Sequence, residues 1–147
     1  MLFHTAVGLA RRHGNYPTIW AYKNATTAIG RATMRKDGWW SYDADSNSEQ
    51  ELVTTLQRLP SAPASLFVNV VTSVRGSLRV EALDAMTLQP LPGLSINDSV
   101  PLMGNYVRQR VSWASGVGLP AARGVRLRFV AMAAKLYSFE LASSMGA

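Results

Sequence analysis

The chain contains no cysteine, which removes disulfide frameworks, thiolate metal sites and cysteine nucleophiles. Histidine is scarce as well: His4 and His13 are too few ligands for a His-rich metal centre, and no metal or other cofactor is expected. No apolar run approaches the roughly 18–20 residues that cross a bilayer as a helix, so no membrane span is expected. Charged residues are sparse, 16% of 147, whereas 48% are hydrophobic. That is enough apolar material for one domain with a core, and too much for a disordered tail. Internal repeats and low-complexity linkers are lacking too.

What charge there is lies unevenly. The net charge is +6. Residues 1–36 carry six Lys/Arg and no Asp or Glu, residues 37–107 carry three basic and eight acidic residues, and residues 108–147 carry six basic and one acidic. Basic ends around an acidic middle can serve an anionic polymer or an acidic protein partner, or can be plain solvated surface. The stretch 1–14, with Leu2, Phe3, Val7 and Leu9 and no acid, has the composition of an organellar transit segment, although we read it as part of the folded chain. Arg11 and Arg12 interrupt it too soon for a secretory signal.

From residue 28 onward the pattern is that of strands. Candidates are 28–35, 38–44, 51–55, 65–72, 76–84, 106–113, 125–131 and 135–141. Leu78, Val80 and Ala82 alternate with Arg79, Glu81 and Leu83. Val125, Leu127, Phe129 and Ala131 alternate with Arg126, Arg128 and Val130. Alternation of this kind marks strands with one face in a core and one in water. Turn residues stand between them, as at 60–63, 89–93 and 116–120. Residues 48–59 could form a short helix, but Val53, Thr54 and Thr55 are β-branched and favour strand. The fold expected is all-β with little helix: a two-sheet antiparallel β-sandwich of jelly-roll or concanavalin-like type over 28–147, preceded by an N-terminal extension, 1–27.

Five segments in order carry a family resemblance: residues 29–44, 66–70 with 76–84, 91–95, 106–113, and 124–129 with 134–139. Together they resemble the C-terminal β-sandwich domain of glycoside hydrolases of the five-bladed-propeller sucrase/fructosidase-like clan, many of them secreted glycosidases. The resemblance implies that 1–27 corresponds to the last propeller strand and its exit loop. It also implies a domain without catalytic residues, packed on a catalytic propeller, and an extracellular location. Two departures stand out. The loop 115–120 reads Ser-Gly-Val-Gly-Leu-Pro where the family usually has Gly-Gly-Ser-Asp-Leu-Ser, and Trp40 and Tyr42 replace smaller aliphatics.

Candidate chemistry is limited. Glycoside hydrolysis needs two carboxyl groups about 5–10 Å apart; Asp43 and Asp45 could pair, but acids in turn-like sequence more often cap backbone groups. A Ser-His-Asp site lacks a Gly-x-Ser-x-Gly elbow. The run Asp43-Ala-Asp45-Ser-Asn47 superficially resembles a calcium loop, but Ser48 occupies the place of its glycine. Sugar stacking is better served, because a flat ring lies on the apolar face of a pyranose while polar neighbours take its hydroxyls. Trp39, Trp40, Tyr42 and Asp43 offer that set. Alternation places Trp40 and Tyr42 on one face and Trp39, Ser41 and Asp43 on the other, so one face is expected in the core. Arg108/Arg110 and Arg126/Arg128, each at i,i+2, form two basic rows that could dock a protein. Nucleic acid is not expected, for no RNA-binding motif accompanies the charge. Asn24-Ala-Thr26 and Asn97-Asp-Ser99 are glycosylation sequons, relevant only to a secreted eukaryotic chain. The expected function is therefore a noncatalytic, glycosidase-associated module that packs on a catalytic domain or binds carbohydrate weakly. The alternative is an assembly subunit that docks through its basic sheet face, and an independent hydrolase ranks below both.

Overall fold

The computed structural model describes residues 4–9, 29–59, 63–121 and 124–143. The chain divides into two compact units, Met1–Lys36 and Asp37–Ala147. In the first, β1 (His4–Leu9) pairs antiparallel with β2 (Ile29–Met34), from His4 opposite Met34 to Leu9 opposite Ile29. His13 and the sequon at Asn24 lie outside the described residues.

The second unit is one antiparallel sheet, with no helix among the described residues. Its strands are β3 (Tyr42–Ala44), β4 (Gln50–Val53), β5 (Gln57–Arg58), β6 (Ala64–Asp84), β7 (Asn105–Arg110) and β8 (Gly124–Ser143). Strand β8 is the spine. Along one edge it pairs with β6, from Ala64 opposite Ser143 to Asp84 opposite Val125. Along the other it pairs in turn with β5, β4 and β3. Strand β7 lies on the far side of the first half of β6.

The segments expected as separate strands 65–72 and 76–84 are thus one long strand, as are 125–131 and 135–141. Both bend at the same place. The register slips between Thr72 and Ser77 of β6, and opposite this slip Ala133 takes a left-handed φ of 45° and donates its N–H to the Asp45 carbonyl at 2.6 Å. Such bulges curl a sheet. Gly76 makes this one feasible, since a Cβ there would lie 2.3 Å from the Ala133 carbonyl oxygen.

The inner face of the curl is the core. Leu66, Val68 and Val70 before the bulge, and Leu78, Val80 and Ala82 after it, are buried with Val125, Leu127 and Phe129 of β8. The alternation in sequence therefore faces the way it should. Among the described residues, the far edge of β6 beyond the bulge meets no strand. Loop residues cover it instead: Leu78 and Leu102 exchange N–H···O bonds, and Ala82 bonds Leu91 and Leu94. Val80 receives side chains, its N–H donating to Ser99 Oγ and its carbonyl accepting from Trp113 Nε1, both at 2.9 Å. Buried backbone groups are satisfied without a further strand.

Candidate functional site

Strand β3 is short because residues 36–39 form a turn rather than continuing it. Asp37 takes a φ of 54°, a conformation that Asp tolerates better than most residues, and its Oδ2 accepts from Ser138 Oγ at 3.3 Å. The chain enters the sheet at Tyr42, opposite Leu136. Tyr42 packs against the core, and its hydroxyl donates to the Glu51 carbonyl at 3.0 Å.

The expectation that one aromatic face is buried fails for both tryptophans. Trp39 is 69% exposed and Trp40 is 86% exposed. Tyr42 alone reaches the core, because the strand that would carry the other two inward begins only after them. Trp40 borders a shallow, open groove of 370 Å³. Leu52, Leu136 and Phe139 line it together with Tyr42 and Tyr137, and Ser41 and Ser138 complete a surface that is mostly apolar. Trp39 and Asp43 do not line it.

Asp43 faces the other way. It stands opposite Lys135, whose Nζ lies 2.6 Å from Oδ2, and Oδ1 accepts from Ser41 Oγ. The hydrogen bond from Lys135, and then that from Ser41, holds the Asp43 carboxyl below the usual carboxylate range, while Asp43 raises the Lys135 ammonium. Asp45 Oδ1 accepts from the Asn47 N–H at 2.5 Å, closing a local turn. The would-be calcium loop thus has one carboxylate engaged by a lysine and the other by backbone. Among the described residues no group of three or more His, Asp or Glu is placed to hold a metal ion.

The arginine rows lie on opposite sides of the bend: Arg110 is opposite Phe67 and Arg128 is opposite Glu81. They do not form one basic face. Arg108 forks onto Glu140 at 3.0 and 3.3 Å, with its guanidinium 3.6 Å from the Phe67 ring centroid. Arg128 Nε lies 2.6 Å from Glu81 Oε1 and its Nη1 3.7 Å from Glu51. Neighbouring Arg79 meets Glu49 at 2.6 Å. Arg126 is half-buried, and Arg110 is exposed.

Two features escape a reading of the sequence. Glu81 has the parity of a wet face but is 1% exposed, because the 95–99 turn folds over it and the Ile96 N–H donates to its Oε2 at 2.9 Å. The groove itself brings residues 40–42 to residues 136–139, and only strand pairing could reveal that. Compared with models of protein families, with curated proteins and with solved structures, the chain matches none.

Proposed function

We propose that this chain is a noncatalytic module of the glycosidase-associated kind that binds carbohydrate weakly through the Trp40 groove. In this reading the two arms of the curled sheet, before and after the bulge at Gly76, are the facing layers of a β-sandwich. One observation carries the functional part: an indole 86% exposed beside an apolar groove. An indole in water forgoes the gain of burial, and a sugar ring stacked on it would recover part of that gain. The volume of 370 Å³ falls at the small end of ligand sites, about 300–1,000 Å³, and suits a sugar residue. Packing against a catalytic domain would use the same exposed rings.

Docking through a basic face has less support, because Arg108 and Arg128 already meet carboxylates. Screening the whole chain on a glycan array, beside its Trp40→Ala and Trp39→Ala variants, tests the proposal. Binding lost in Trp40→Ala and kept in Trp39→Ala is expected. A parent chain that retains no glycan, yet elutes with a partner protein in a salt-sensitive way, would sink it.

A further inference from the structure

The end of the sheet where β6 stops and β8 starts carries an exposed apolar strip. There Asp84 stands opposite Val125 and Arg58 opposite Gly124. A Cβ at Gly124 would lie 2.8 Å from Leu56 Cδ1 and 3.7 Å from Ala85 Cβ, so Leu56 and Ala85 flank this glycine. Met86 comes next and is 92% exposed, while Leu88 and Leu56 are about half-exposed. Leu88 also takes a left-handed φ of 57°, a conformation that costs a bulky residue energy. The turn satisfies its own backbone. Asp84 Oδ1 accepts from the N–H groups of Met86 and Thr87, and the Asp84 carbonyl accepts from that of Leu88, all at 3.0 Å.

Cations beside this strip lack their anions. Arg79, Arg108, Arg128 and Lys135 each meet a carboxylate. Arg58, exposed beside Gly124, and Arg126, half-buried opposite Leu83, meet none among the described residues, and Arg126 Nε is enclosed without a hydrogen-bond partner. We propose that this end of the sheet is a peripheral contact with an anionic lipid surface, Met86 and Leu88 entering the acyl boundary while Arg58 and Arg126 meet headgroups. An apolar medium offers no hydrogen bonds, so a tip that enters it must satisfy its own N–H groups, as residues 86–88 do. Aliphatic side chains flanked by cations are the combination that holds a protein at an anionic interface. Such a contact lies on the bilayer and needs no spanning helix. It shares no residue with the Trp40 groove and does not depend on the carbohydrate reading.

Co-sedimentation of the full chain with phosphatidylcholine vesicles, with and without phosphatidylserine, tests this. The net charge of +6 draws the chain to any anionic vesicle, so the readout must separate insertion from attraction. Met86→Ser should weaken binding to the phosphatidylserine vesicles about tenfold, and Arg58→Ala about fivefold. Val74→Ser alters a residue fully exposed at the bulge and should change nothing. Because the chain has no cysteine, Met86→Cys and Val74→Cys each accept a single polarity-sensitive dye. On vesicles its emission should move to the blue at position 86 and stay unchanged at position 74. Binding that Met86→Ser leaves intact is attraction by net charge alone and overturns the proposal. An equal loss in Val74→Ser, an unshifted dye at position 86, or no binding at all overturns it too. Leu88→Gly guards against misfolding as a cause, since it relieves the left-handed backbone as it removes the side chain. Weaker binding with no fall in melting temperature is expected from it, and binding equal to the parent's counts against the proposal.

Discussion

The two arms of β8 are built from similar residues and end differently. In the first arm Val125, Leu127 and Phe129 are fully buried, with strands on both sides and loop residues from 91 to 119 over the core. In the second arm Phe139 and Leu141 face the same way but are only partly buried, and Phe139 lines the groove. The difference does not come from hydropathy. It comes from cover. Loop residues and Trp113 cap the far edge of β6 beside the first arm, whereas beside the second arm β3 pairs for just three residues, from Tyr42 to Ala44. The first arm is core at all three residues, whereas the second is core at Ala134 and Leu136 and meets water at Phe139 and Leu141.

The comparison is broken most forcefully at the two phenylalanines. Their rings lie 5.5 Å apart and tilted by 41°, so they are chemically matched neighbours that differ in burial. Phe129→Ala is expected to cost about 3–5 kcal/mol in urea unfolding, the range for a fully enclosed aromatic. Phe139→Ala is expected to cost roughly half of that or less, because water already reaches the ring. Equal losses would mean that the second arm is as enclosed as the first, and the groove would then not be a surface feature.

A smaller effect separates the two carboxylates that share Arg128. Glu81 is 1% exposed and held by both Arg128 and the Ile96 N–H. Glu51 has a side chain 55% exposed and 3.7 Å away. Glu81→Ala removes the buried partner of a charge and a loop anchor, with an expected loss of about 2–4 kcal/mol. Glu51→Ala is expected to lose under ~1 kcal/mol, as exposed pairs do. Parity in the 76–84 segment cannot distinguish these cases, and chemical denaturation of the two variants can.

What the sequence discloses here follows the range of each interaction. Alternation in 76–84 and 125–131 is local, so the core faces of β6 and β8 are readable from it. The continuity of those strands is not, since 65–72 and 76–84 read as two strands, whereas the register slip between Thr72 and Ser77 is a bulge within one. The Trp39–Asp43 run stands out by composition, yet its burial does not follow from alternation, because exposure depends on where β3 begins. Of the four residues singled out there, Trp40 and Tyr42 line the groove, Asp43 turns to Lys135, and Trp39 stays outside. Glu81 is buried by a turn 15 residues further along the chain. Its solvent-facing parity was correct, and only the folded loop removes the solvent.

The smallest expected effect lies at the edge of the open arm, in the pair of Asp43 and Lys135. Both side chains are about half-exposed, at 54% and 53%, so screening by water keeps their contribution small. The folded-state pKa of Asp43 is lowered from 3.8, so its share of stability is present above that ordinary value and is lost as pH falls through the lower folded one. That of Lys135 is raised from 10.5, so its share is present below 10.5 and is lost as pH rises through the higher folded value. Asp43→Ala should therefore shift the urea midpoint at neutral pH by a small fraction of the shift at Glu81, and this difference from the parent chain should vanish in acid. A loss as large as that of Glu81→Ala would contradict the placement of Asp43 on an open surface.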